Sequence, residues 1–385
     1  MNATIPFNSP TLVGDELALV EEAVRSGHSA MDGPFSRRVQ DLLAEVHDAA
    51  DVILTTSCTD ALELSALLLE VEPGDVVIVP SFTFVSTAVA FARAGASIRF
   101  ADVRPDTLGI DPASVARLMD DRVRAVVAVH YGGIAADVDG LAAVLADHPD
   151  VTLVEDNAHG LFGERAGRPL GTFGRLSTLS FHETKNFVCG EGGALVLNDP
   201  ADVARAHVLK DKGTNRRAFF RGEVDKYTWK DTGSSFGLSD LLAAFLWGQL
   251  QRRDEVLAQR RRVFDRYHDT LAPVADDLGL QLPVVPEGDV PGYHLFHVLL
   301  PDPATRDVVL DGLRRDGIQA TFHYVPLHSS DGGHRFGDGH QDCPVTDDVS
   351  ARLLRLPFFN TLADDDIDRT CARLVALVTD GQGPR

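Results

Sequence analysis

The chain has 385 residues, 44% hydrophobic and 24% charged, which are the proportions of an ordinary globular protein long enough for two or three domains. Basic side chains number 36 and acidic ones 57, a net charge of −21 that repels phosphate backbones and anionic lipid, so neither nucleic acid nor a membrane is expected as a partner. The four cysteines, Cys58, Cys189, Cys343 and Cys371, form no CxxC pair, so no zinc knuckle or disulfide scaffold is expected.

The N-terminal MNATIPFNSP has no basic start leading into an apolar run, and no stretch approaches the ~18 apolar residues of a membrane span. With its sparse cysteines, the chain is expected in the cytoplasm. From about residue 50, short β-branched runs at 52–57, 76–80, 97–103, 125–130 and 151–156 alternate with amphipathic helical stretches. That rhythm predicts an α/β domain with a mostly parallel sheet. RLSTLSF and GALVL are separated by only HETKNFVCGEGG, too little for a helical crossover, so they are expected to pair antiparallel. Residues 210–236 are polar and aromatic and read as a long ordered loop. A helix follows from Ser239, its N-cap, to about Leu271. The remainder predicts a smaller α+β domain, with strands near 293–299 and 318–324 and helices near 304–315 and 346–355. The domains are placed at 1–255 and 256–385.

GxGxxG, GxxxxGK[ST] and HExxH are absent, which disfavours dinucleotide, nucleoside-triphosphate and zinc-protease readings. Gly233, Ser235 and Gly237 spell GxSxG, but the preceding KYTWKDT is too charged for the buried strand that a nucleophile elbow requires. The stretch SSDGGHRFGDGH at 329–340 reads as a loop rather than a metal site, and no metal is expected.

Only five lysines occur, at 185, 210, 212, 226 and 230, and four of them stand in charged surroundings. Lys185 instead follows the apolar LSTLSF and precedes CGEGG. Such a lysine either snorkels to water or is used, and bonding its amine to a carbonyl removes the cost of a buried charge. The apolar run VTLVED ends in Glu155 and Asp156, at the carboxyl end of a parallel strand, where α/β sheets bind ligands. A carboxylate there either caps a turn or keeps a pyridine nitrogen protonated. Ser57, Cys58 and Thr59 lie between a strand and a helix, where they supply an N-cap by Thr59 or a cup for phosphate. Together the three features describe pyridoxal phosphate.

TSCTDALEL, PSFTFVSTA, VEDNAH, SFHETKN and EGGA resemble the DegT/DnrJ/EryC1/StrS family of sugar aminotransferases, over about residues 10–375. The resemblance implies a fold-type I enzyme dependent on pyridoxal 5′-phosphate, working as a homodimer with its site at the interface. It makes Lys185 the Schiff-base lysine and proton shuttle, and Asp156 the partner of the pyridine nitrogen. His159 faces the ring hydroxyl, where many members carry Gln. Phe84 stacks on the ring, and Cys58, Thr59 and Ser180 line the phosphate. Ser235 stands where many members have an asparagine that reaches the neighbouring subunit's cofactor. KGTNRRAFFRGEVDKYTWKDTGSS, DVRPDTLGID, HYVPLH and RLLRLP look like members that transfer nitrogen from L-glutamate to C4 of dTDP-4-keto-6-deoxy-D-glucose, giving dTDP-4-amino-4,6-dideoxy-D-galactose. On that likeness Arg216, Lys226, Tyr324 and His328 are substrate-side candidates. The alternatives are another keto-sugar or ring position, or a sugar dehydratase. Family members that dehydrate carry histidine in place of the lysine, so Lys185 argues against the last.

Overall fold

A computed structural model of the chain describes residues 4–339 and 342–381. Seven strands form the central sheet: β1 (Asp51–Thr55), β2 (Val76–Pro80), β3 (Ser97–Ala101), β4 (Val123–Val129), β5 (Thr152–Asp156), β6 (Leu176–Ser180) and β7 (Gly193–Leu197). Their order is β1-β7-β6-β5-β4-β2-β3. The pairs β2–β3, β2–β4, β4–β5 and β5–β6 are parallel, while β7 runs against both β6 and β1. The short β6–β7 connection therefore makes the expected antiparallel pair. The strands are runs of Val, Ile and Leu because both faces are covered. Alternation divides β2 between two cores: Val77 and Val79 pack with Leu62, Phe91 and Leu209, whereas Val76 and Ile78 pack with Val115 and Leu141.

Helices α1 (Glu16–Arg25) and α2 (Pro34–His47) precede β1. The crossovers are α3 (Cys58–Leu68), α4 (Ser86–Ala94), α5 (Pro112–Leu118) and α6 (Val138–Leu145). After β7 come α7 (Val203–Lys210) and, inside the polar 210–236 excursion, the short α8 (Arg216–Phe220). The ends of that excursion are drawn together by Lys230 N–H to Gly213 O at 2.7 Å, so it is an ordered loop as expected.

Ser239 caps the next helix by accepting the Leu242 N–H, as predicted. The expected single helix is two, α9 (Asp240–Gln251) and α10 (Arg253–Leu278), divided where Arg252 takes φ −107° and ψ 20°. Val256 near the start of α10 packs with α2 and α9, while Val263 and the later apolar positions pack into a second core. That core gathers α11 (Pro303–Arg315) and α14 (Asp364–Gly381) with the antiparallel pair β8 (His297–Leu299) and β9 (Leu353–Arg355). Ile5 belongs to it as well, bridging to Ile318, so the N-terminal segment crosses to the C-terminal unit. The strand expected at 318–324 is reduced to single bridges. After Thr321 pairs with Arg355, the chain peels away from the sheet edge and carries His323 and Tyr324 to the cavity described below. The glycine- and histidine-rich stretch forms α12 (Asp331–Phe336) and precedes α13 (Pro344–Arg352), with His340 outside the described residues.

Candidate active site

A cavity of about 530 Å³ opens at the carboxyl ends of β1, β5 and β6. Lys185, Asp156, His159, Cys58, Thr59, Phe84, Ser180 and Tyr324, all singled out from the sequence, line it together. Lys185 sits on the tight connection after β6, where its N–H donates to His182 O at 2.9 Å and Cys189 N–H returns to Phe181 O at 2.9 Å. Phe181 and Phe187 are buried on either side and pin the turn. Burial brings the Lys185 ammonium down from 10.5 to about 8. At pH 7 that raises the uncharged fraction by roughly 300-fold over an ordinary lysine.

Strand alternation separates the two carboxylates at the end of β5. Glu155 faces away from the cavity, fully buried, and accepts from Gly171, Phe173 and Gly174 N–H and from His130 Nε2 at 2.6–2.9 Å. Burial pushes its carboxyl up, but the His130 bond and the backbone donors outweigh it and hold it below the usual carboxylate range. Glu155 thus anchors the segment that enters β6. Asp156 faces the cavity, and its two oxygens accept from Thr87 Oγ1 at 2.7 Å and Ala158 N–H at 3.2 Å. The single Thr87 proton is used on Asp156, so Thr83 Oγ1, 2.9 Å away, donates to Thr87. The carboxylate is held in place, with lone pairs left for a donor in the cavity.

His159 Nδ1 accepts from Gly132 N–H at 3.3 Å, which puts the ring proton on Nε2. Burial carries its pKa far below 6.5, so the ring is neutral. It stacks on His294, centroids 4.1 Å apart, and His294 is fixed by Asn186 at 3.0 Å.

At the β1–α3 turn, Ser57 rather than Thr59 is the N-cap, accepting Asp60 N–H at 3.0 Å. Thr59 is thereby left to share a 2.7 Å hydrogen bond with Ser86, and both hydroxyls line the cavity. Burial pushes the Cys58 thiol up to about 12, so Cys58 contributes a backbone N–H and a small neutral side chain. Gly193 on β7 closes against this turn: a Cβ there would meet Cys58 N at 2.4 Å. Hydroxyls beside a helix N-terminus suit a phosphate dianion. The donor set therefore fits pyridoxal phosphate: an amine with lowered pKa, a fixed carboxylate, a neutral imidazole N–H and a hydroxyl cup.

The remaining predicted residues lie elsewhere. Ser235, Arg216 and Lys226 are exposed and are not among the lining residues. His328 is buried behind the site, 2.7 Å from Ser81 Oγ, and does not line the cavity. Phe84 is 59% exposed beside Tyr324, at 6.5 Å between centroids. Sequence reasoning missed Thr87, His294, His323 and Arg355. Arg355 lies within the RLLRLP motif, where its two-residue offset from Leu353 gave no sign that it faces a cavity.

Comparisons with known proteins give the family. The DegT/DnrJ/EryC1/StrS aminotransferase family matches residues 10–375. The spore coat polysaccharide biosynthesis protein SpsC of Bacillus subtilis is 30% identical over 375 residues, 95% of each chain. The aminotransferase TlmJ of Streptoalloteichus hindustanus superposes with a TM-score of 0.90 at 32% identity, covering 98% of this chain and all of that one. DesV of S. venezuelae, solved in complex with a ketimine intermediate, gives 0.87 at 27% identity over the full length of both chains. The chain belongs to the DegT/DnrJ/EryC1/StrS aminotransferase family, and it is an enzyme whose cofactor is pyridoxal 5′-phosphate.

Proposed function

We propose that this enzyme moves an amino group from L-glutamate to C4 of dTDP-4-keto-6-deoxy-D-glucose and releases dTDP-4-amino-4,6-dideoxy-D-galactose. The observation that carries the aminotransferase chemistry is Lys185, a lysine brought to about 8 in one cavity with Asp156 and the hydroxyl cup. Bound pyridoxal phosphate supplies an electron sink that makes a C–H bond beside nitrogen acidic. Lys185 Nζ is the base that takes the proton from the donor's Cα and, in the second half of the cycle, delivers one to C4 of the sugar. Asp156 keeps the pyridine nitrogen protonated, and His159 Nε2–H donates to the ring oxygen. Thr59, Ser86, Ser180 and the Cys58 N–H hold the phosphate, and Phe84 covers the ring.

The sugar reading rests on the 210–236 loop and on the likeness of its sequence to C4 aminotransferases. A diphosphate binding to a chain of net charge −21 needs local cations, and Arg216, Arg217, Arg221, Lys226 and Lys230 cluster there. Phe220, Tyr227 and Trp229 in the same loop are 69%, 55% and 80% exposed. Aromatic side chains of this kind are enriched at interfaces, which supports a homodimer in which this loop and Ser235 complete the partner's site. Tyr324 at the cavity wall is the sugar-side contact within the chain, whereas His328, buried against Ser81, does not reach the cavity. The test is to incubate the enzyme with L-glutamate and the dTDP-4-keto sugar and solve the product by NMR. A galacto-configured 4-amine is expected. A gluco-configured amine or amination at C3 overturns the substrate assignment, and no amination of any keto-sugar overturns the sugar reading.

A further inference from the structure

Two buried histidines, one after β5 and one before β8, lie face to face at the cavity wall. The rings of His159 and His294 are 20° from parallel, with centroids 4.1 Å apart. The segment that carries His294 is fixed by its backbone. His294 N–H donates to Gly132 O at 3.1 Å, while Arg260 on α10 donates from Nη2 to His294 O at 2.7 Å and from Nε to Tyr293 O at 2.8 Å. Tyr293 sits at φ 51°, a strained conformation for an aromatic residue. A Cβ on Gly292 would meet His159 O at 2.8 Å, so glycine is what lets the two stretches of chain approach this closely. Asn186, the residue after Lys185, donates from Nδ2 to Gly292 O, which leaves its Oδ1 to accept from His294 Nδ1 at 3.0 Å. His294 therefore carries its proton on Nδ1 and His159 on Nε2, so the stacked rings are opposite tautomers. Burial, reinforced by the charges of Lys185 and Arg355, holds both neutral.

We propose that His294 is a positioning residue, which fixes the plane and the tautomer of His159. The inference rests on the reading of His159 as the donor to the cofactor's ring oxygen and goes beyond it by assigning what aims that donor. Among the described residues, the His159 side chain has one polar restraint of its own, the 3.3 Å bond from Gly132 N–H. A single bond to Nδ1 leaves a ring free to rock about it. Tyr131 meets the ring edge-on, with centroids 6.0 Å apart. His294 closes the broad face, and to turn, the His159 ring must pass through the space that His294 fills. His294 cannot give way while Asn186 holds its Nδ1. Gly132 serves both rings, donating to His159 and accepting from His294, so the pair is held as one unit. Because Asn186 adjoins Lys185, the unit also ties the ring-oxygen donor to the turn that carries the amine.

The experiment has a cofactor-free and a cofactor-bound arm, both on the full chain. In the first, heteronuclear NMR of histidine-labelled protein reads the tautomer of each ring. Wild type is expected to show His159 protonated on Nε2 and His294 on Nδ1. His294→Ala is expected to leave His159 a mixture of tautomers, and His294→Phe, which keeps a stacking ring, to hold the proton on Nε2. In the second arm, the affinity for pyridoxal phosphate and the absorbance of the bound cofactor are measured across the double-mutant cycle of His159→Ala and His294→Ala. His294→Ala is expected to weaken cofactor binding about 2- to 10-fold, the range for losing an aromatic pair, and to move the absorbance band toward that of His159→Ala. The double variant is expected to bind no more weakly than His159→Ala alone, because His294 acts through His159. His294→Phe is expected to recover most of the affinity and the band. Additive losses in the cycle overturn the proposal, as does a wild-type band in His294→Ala when His159→Ala shifts it. Should His294→Ala fail to fold, Asn186→Ala takes its place in both arms, since it frees the His294 ring while the stacking partner stays. A His159→Ala variant with wild-type affinity and absorbance refutes the ring-oxygen reading alone. The positioning role is then decided by NMR, where a His159 that keeps its proton on Nε2 without a ring at 294 overturns it.

Discussion

Removing the Lys185 amine is expected to stabilise the cofactor-free protein. Burial holds this lysine at about 8 in the folded chain, against 10.5 for an ordinary one. Between those values the unfolded chain binds more protons than the folded one, so stability rises with pH across that window. Below pH 8 both states are charged and the full penalty applies. A shift of about 2.5 units corresponds to about 3 kcal/mol at pH 7, falling to about 1 kcal/mol at pH 9.5. Lys185 retains partial exposure, which makes these upper values. Lys185→Met keeps the apolar stem and removes the charge. Urea unfolding of the two cofactor-free proteins, at one protein concentration, checks the account at both pH values. The methionine variant should be the more stable at pH 7, with the gap narrowing at pH 9.5. A variant less stable than wild type at pH 7, or a gap independent of pH, refutes the claim that the site strains against a protonated lysine.

Asp156→Ala should still take up cofactor but lose about 3–5 kcal/mol of transition-state stabilisation, roughly a hundred- to several-thousand-fold in kcat, and near-normal turnover would remove Asp156 from its role. Gly193→Ala drives a Cβ to 2.4 Å from Cys58 N, so it should abolish cofactor retention, measured by absorbance after gel filtration. Cys58→Ser should retain most activity, and wild-type Cys58 should resist alkylation at pH 8, because its thiol is pushed up to about 12; rapid labelling by iodoacetamide, located by mass spectrometry, would contradict this.

The parallel sheet was legible because strand and crossover helix alternate in period as well as in composition. The antiparallel β6–β7 pair was legible because its connection is too short for anything else. Lys185 and Asp156 stood out as a charged group at the end of each of two apolar strands. Residue pattern alone did not choose between Glu155 and Asp156; the family resemblance chose Asp156, and strand alternation with the backbone donors of residues 171–174 turns Glu155 away from the cavity. The break at Arg252 was hidden because the apolar period continues across it. Arg355 and His323 were hidden for a different reason. They belong to the C-terminal unit and reach the cavity only through the docking of that unit on the sheet, a long-range contact with no local pattern. Thr87 lies inside a helix, where a hydroxyl normally signals nothing, and only its 2.7 Å bond to Asp156 gives it meaning.

Borohydride reduction of the holoenzyme followed by peptide mapping tests the central claim most directly. The account predicts loss of the yellow colour and one pyridoxyl-modified residue, Lys185. Modification at Lys210, Lys212, Lys226 or Lys230 instead would contradict it.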